Sequence, residues 1–240
     1  NAAWSIDTTG IGWLQLSQAS GNGGTATIHL TAAVNSTGSS RSVLLSFNAT
    51  NGQSRRITII QFPQIYPSFN TSPIAADATG MGSTALQLAA NIKLGWNIYN
   101  TMDAPGGETG WGNPVITQSL IDLVKQSGFN AIRIPCQWDY SHISDRATEQ
   151  IDPDWLNRVK QVVQYCINDN MYVILNIHWD GGWLDCTATG AKQDTVNAKQ
   201  KALWEQIATT MRDFDEHVRC ASANVPNASD IPSKMVLMGY

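Results

Sequence analysis

Residues 172–179, YVILNIHW, are apolar at almost every position. A strand of that kind has no wet face. It reads as buried on both sides, which calls for a parallel sheet covered by helices. Its neighbours along the chain agree. AIRIP (131–135) and HVRCASAN (217–224) read as further strands, and NIKLGWNIY (91–99) is an apolar run ahead of a Gly- and Pro-rich loop. Helical spacing of apolar residues appears near 115–128, in DPDWLNRVKQVVQYCIND (152–169) and in TVNAKQKALWEQIATTMRDF (195–214). Asp152 or Asp154 serves as the acid at the start of the second of these helices.

The first 64 residues follow a different period. TATIHLTAAV (25–34), SVLLSFNA (42–49) and RRITIIQF (55–62) alternate apolar and polar positions. SGNGG (20–24), NSTGSS (35–40) and ATNGQS (49–54) are the turns between them. This predicts a small all-β, immunoglobulin-like sandwich over 1–64. The stretch 63–79 carries three prolines and few charges, and residues 65–79 are expected to be a linker. Beyond it, strand–helix units recur about every 40 residues, the period of a (β/α)8 TIM barrel. A whole barrel takes about 250 residues. The expectation for 80–240 is therefore the N-terminal half of a barrel, ending inside a fourth helix opened by MVLMGY (235–240). The missing barrel half would lie on a further segment or chain.

Composition narrows the partners. Charged residues make up 14% of the chain and the net charge is −4, so neither nucleic acid nor an anionic membrane is expected. No apolar run approaches about 18 residues, so no transmembrane segment is expected. No signal peptide is visible. The four cysteines, Cys136, Cys166, Cys186 and Cys220, are widely spaced and form no CxxC pair, which argues against a metal site. They read as free buried thiols, with a disulfide left open for an exported protein. The nine tryptophans are the one excess: an indole stacks on a sugar face, and it is equally a core residue.

In a barrel the chemistry sits at the C-terminal strand ends. The polar residues there are Asn97 and Asn100 in GWNIYNTMDA (95–104), then ETGWGNP (108–114), Arg133, Asn176, His178 followed by WDGGW, and Asn224-Val225-Pro226. No Ser-His-Asp order or phosphate loop competes with them.

Taken in order over residues 90–226, GWNxxNTxDA, ETGWGNP, GFNAIRIPxxW, MYVILNIHxDGGW and VNAKQKALWxQIA resemble glycoside hydrolase family 5, most closely its endo-β-1,4-glucanase and xyloglucanase-type branch. The resemblance implies a retaining hydrolase that needs no cofactor, acts on β-glucan polysaccharide or oligosaccharide, and works as a secreted, periplasmic or outer-surface protein. It implies two catalytic glutamates. The acid/base should stand where this chain has Val225, which has no proton to give. The nucleophile should end a seventh strand, beyond Tyr240. A chain of this sequence is thus expected to be catalytically incompetent, and a non-catalytic β-glucan-binding module is the second reading. By the same resemblance Arg133 braces the nucleophile, His178 touches the sugar nearest the cut, and Asn224 bonds its 2-OH. Asn97, Trp111, Trp138 and Trp183 line the cleft, and Trp179 replaces a histidine common in the family. Asp139, Asp180 and Asp185 read as loop or capping acids. Arg219-Cys220 falls where the family strand is apolar, a costly place for an unpaired charge.

The N-terminal segment resembles the BACON module through Trp4-Ser5-Ile6, Trp13-Leu14-Gln15-Leu16, the glycines of 21–24, Ile28-His29-Leu30, Asn35 with Arg41, and Ile57 to Gln61. Trp4 and Trp13 lie inside strand patterns, so they are expected in the core.

Overall fold

The computed structural model describes residues 2–74, 79–178 and 181–224. It forms two compact units. One holds the chain up to Ile65 together with Thr189–Ala198, and the other begins at Tyr66.

The first unit contains β1 (Trp4–Asp7), β2 (Leu14–Leu16), β3 (Ser20–Gly21), β4 (Leu30–Ala32), β5 (Arg41–Ala49) and β6 (Ser54–Gln61). Antiparallel pairing gives one sheet in the order β3-β1-β5-β6 and a second made of β2 and β4. The period of two works as expected. Leu45 is buried while its neighbour Leu44 is exposed. Ile6, Leu14 and Leu45 form the core, with Trp4 and Trp13 packed against it. Trp4 explains Gly21: a Cβ there would lie 2.7 Å from the indole.

The motif residues of this unit hold its backbone together. Buried Asn35 donates to the carbonyls of Ser39 (2.8 Å) and Gln61 (3.1 Å). Arg41 donates to the Gln61 side chain and to the Ala33 carbonyl, and its guanidinium stacks over Trp13 at 4.6 Å. One expectation changes. The pattern over 25–34 forms a strand only at Leu30–Ala32, because its partner β2 offers three residues to pair with.

The second unit runs α1 (Ala85–Asn91), β7 (Gly95–Asn97), α2 (Gln118–Gln126), β8 (Ala131–Cys136), β9 (Ile143–Asp145), β10 (Gln150–Ile151), α3 (Pro153–Asn168), β11 (Tyr172–Ile177), the part of α4 (Gly190–Met211) from Lys199 onward, and β12 (Val218–Ala221). The sheet order is β7-β8-β11-β12, all parallel and each strand beside its successor. That is the progression of a partial (β/α)8 barrel. Ile132, Ile134, Val173, Leu175 and Ile177 from the strands meet Ile121, Val159, Val163, Leu203 and Ile207 from the helices in one core. Each such side chain contributes about 1.5–3 kcal/mol by leaving water.

Caps mark the helix starts. Asp152 accepts from the Asp154 amide with Pro153 in the first turn of α3, and Thr84 and Gln87 make a reciprocal box on α1. The short α1 and the β9–β10 hairpin have no counterpart in the sequence reading. Nor is the proline-rich stretch wholly a tether: the Phe69 amide donates to Glu205 at 2.8 Å and Ser68 to the same carboxylate. Among the described residues no helix is long and apolar enough to cross a membrane. None of the four cysteines is in a disulfide. Cys220, expected in the interior, is exposed on β12, the last strand of this sheet among the described residues.

Candidate active site

Arg133 is the centre of the site. It is the third residue of β8, and register places it laterally between Asn97 on β7 and Ile174 on β11. In a parallel sheet, registered residues point to the same face. Asn97 Oδ1 therefore accepts from Arg133 Nη1 at 2.7 Å. Nη2 reaches Asn224 Oδ1 at 2.7 Å and His178 Nδ1 at 3.1 Å. His178 follows directly on β11, its amide fixed to the Cys136 carbonyl at 2.7 Å. Asn224 follows β12. Three other strands thus bring one polar residue each to the guanidinium carried by β8. Hydrogen bonds to a charged group are worth about 1.5–3 kcal/mol each, which offsets the cost of a charge in an apolar sheet.

A guanidinium only donates. His178 Nδ1 must therefore present its lone pair to Arg133, and the proton of the neutral ring belongs on Nε2. Asp103 Oδ2 lies 3.9 Å from Nε2. Asp103 is 3% exposed and was missed in the sequence reading, although it sits inside the GWNIYNTMDA motif. The signal was an acid between Met102 and Ala104, both wholly buried. Behind the site, burial first and the Asp103 charge second push the Cys136 thiol well above its usual pKa, so it stays protonated.

The other acids near the strand ends are committed elsewhere. Glu108 makes a two-pronged pair with Arg158, 2.8 Å on each arm, which pins the ETGWGNP loop to α3. Asp139 pairs with Arg146 (2.6 Å) and Lys199 (2.9 Å). Lys199 also meets Glu149 at 3.2 Å. Burial opposes the Lys199 charge, yet Asp139 and Glu149 together raise its pKa above the ordinary lysine value. Asp185 accepts from the Thr187 amide and hydroxyl, as a turn acid does.

The tryptophans divide. Trp111 is 43% exposed. Trp183 is half-buried against the core, with the Lys199 ammonium 5.4 Å from its ring. Trp138, expected in the cleft, is 0% exposed: it is a core residue, packed among the sheet and helix side chains. Trp179, Asp180 and Val225 lie outside the described residues. Arg219 extends the lateral row, since Ile174 is registered with both Arg133 and Arg219. Its Nη1 and Nη2 are buried without a hydrogen-bond partner among the described residues, and its guanidinium lies 5.1 Å over the Tyr172 ring. No group of His, Cys, Asp or Glu among the described residues is placed to hold a metal ion.

The chain is similar to known proteins. Residues 95–237 match the family model described as cellulase (glycosyl hydrolase family 5), and residues 2–62 match BACON, described as a putative N-terminal binding domain. A xyloglucan-specific endo-beta-1,4-glucanase of Bacteroides ovatus is 33% identical over 95% of this chain and 47% of its own. Endoglucanase B of Clostridium cellulovorans is 43% identical over 60% of this chain and 32% of its own. The chain spans 18–47% of the length of such curated relatives. Among solved structures, a Bacteroides ovatus xyloglucanase in complex with a XXXG heptasaccharide superposes with a TM-score of 0.63 at 32% identity, covering 95% of this chain and 51% of that one. A broad-specificity endoglucanase from Ruminococcus champanellensis with bound cellotriose gives 0.57 at 42% identity, covering 62% and 46%.

Proposed function

The chain belongs to glycosyl hydrolase family 5, and from that premise we propose that residues 80–240 are the glucan-binding part of a retaining endo-β-1,4-glucanase. A BACON-like module over 1–64 and a linker over 65–79 precede them. The observation that carries this reading is the convergence of Asn97, His178 and Asn224 on Arg133. Two carboxamides, an imidazole and a guanidinium on one face suit a polyhydroxylated ligand, and the guanidinium suits the carboxylate of an attacking residue. Trp111 and Trp183 stand as sugar-stacking candidates at the rim. The ligand is a β-glucan polysaccharide or oligosaccharide, met outside the cytoplasm: secreted, periplasmic or at the outer surface.

Val225 stands where the family's acid/base is expected. A retaining glycosidase needs that group twice, to protonate the leaving oxygen and then to activate water. Glu108, Asp139 and Asp185 are committed to structural partners, and Asp103 is buried and held by the Thr101 amide, so none of these four stands ready to replace it. Val225 favours a second reading, in which the site holds glucan without cutting it.

The test is release of reducing ends from xyloglucan by the full-length protein, as it stands and as Val225→Glu. The glutamate should gain about 10²–10⁴-fold, the usual worth of general acid–base help. No gain, or an unaltered protein already turning over at that rate, contradicts the role of position 225. Retention on a xyloglucan affinity gel without turnover supports binding without cleavage.

A further inference from the structure

The polar cluster leaves one buried acid unaccounted for. Asp103 lies in the turn after β7, and its Oδ1 accepts from the Thr101 amide at 3.0 Å. The Thr101 hydroxyl in turn donates to the Ile98 carbonyl at 3.1 Å. The carboxylate is therefore held by its own turn and has little freedom to swing. Its Oδ2 lies 3.9 Å from His178 Nε2, while Arg133 Nη2 lies 3.1 Å from Nδ1 on the opposite edge of the ring.

These two neighbours have opposite demands. Arg133 offers only N–H, so Nδ1 must carry a lone pair. Asp103 offers only oxygen, so Nε2 must carry the proton. The other tautomer sets N–H against N–H at one edge and lone pair against carboxylate at the other. The span of 3.9 Å exceeds a direct hydrogen bond and is one that a single bridging oxygen closes, from water or a sugar hydroxyl.

We propose that Asp103 is the positioning residue for His178, fixing with Arg133 its Nε2–H tautomer and the plane of its imidazole. The ring then presents one defined donor edge to the glucan. The inference rests on the reading of His178 as a glucan contact. Asparagine cannot replace the acid cleanly, because its amide turns either a donor or an acceptor towards Nε2.

Nitrogen-15 NMR of the histidine side chains tests it, with His178 assigned by its loss in His178→Gln. The unaltered chain should show His178 as the Nε2–H tautomer. Asp103→Asn should give a mixture of tautomers and weaken cellotetraose binding about tenfold, roughly the loss of one net hydrogen bond. Asp103→Glu should restore most of both. A pure Nε2–H tautomer together with unchanged affinity in Asp103→Asn overturns the proposal. Should Asp103→Asn not fold, the unaltered chain decides, because an Nδ1–H tautomer there overturns it equally. An unaltered chain that binds no cellotetraose strikes instead at the proposed function, and the tautomer still decides the role of Asp103.

Discussion

Two arginines flank Ile174 in the same row of the same sheet, and they live in opposite surroundings. Arg133 has three hydrogen-bond partners drawn from three other strands' ends. Arg219 has a tyrosine ring and no hydrogen-bond partner for its Nη1 and Nη2 among the described residues. A charge costs several kcal/mol to bury unless it is paired. The pair thus separates two uses of one residue type. Around Arg133 the polar groups are mutually satisfied and fix a geometry, as a binding site requires. Around Arg219 a cation–π contact offsets part of the cost and fixes little.

The largest expected effect tests that contrast at its strong end. Arg133→Met removes the hub, leaves Asn97, His178 and Asn224 without their common donor, and should lower stability by about 3 kcal/mol. Cellotetraose affinity should fall at least about 100-fold, from the loss of two or more charge-assisted bonds. Urea unfolding and calorimetric titration read the two effects.

A third buried base sharpens the comparison, because it can shed its charge and arginine cannot. His142 stacks on Trp155 at 3.6 Å, and its Nε2 has no hydrogen-bond partner among the described residues. Burial lowers its pKa to about 4, with Asp152 acting weakly in the other direction. The unfolded chain therefore binds more protons than the folded one between about pH 6.5 and 4, so stability falls as pH drops through that window. The loss is at most about 3 kcal/mol before solvent screening reduces it. His142→Gln should flatten this part of the profile in pH-dependent melts.

Arg219→Met comes next and carries the opposite sign to Arg133→Met. Trading an unpaired buried charge for a side chain of similar length should leave stability unchanged or raise it by up to about 1 kcal/mol, with cellotetraose affinity intact. A loss comparable to that of Arg133→Met would erase the distinction. Smallest of all, Lys160→Ala breaks an ion pair with the exposed Asp213 and should shift the melting temperature by no measurable amount.

Much of this was legible in sequence because it is written in local period. The almost wholly apolar YVILNI pointed to a parallel sheet, and the polar residues that interrupt such strands had to be exceptions with a purpose. Arg133, Asn97, His178 and Asn224 were found that way, and the structure brings all four together. What stayed hidden depends on distance along the chain. Asp103 lies 75 residues before His178 (178 − 103), and no periodicity links them. Trp138 was expected in the cleft from the family resemblance alone, yet it is 0% exposed. The strand pattern over 25–34 promised ten residues and delivered Leu30–Ala32, since a strand lasts only as long as its partner. The β9–β10 hairpin is only three residues against two, too short to show a period.

The most direct test of the account is calorimetric titration of cellotetraose into the unaltered chain, Arg133→Met and Arg219→Met side by side. The unaltered chain and Arg219→Met should bind alike, and Arg133→Met at least about 100-fold more weakly. Equal binding by all three, or loss in both variants, would contradict the claim that the glucan site is built on Arg133.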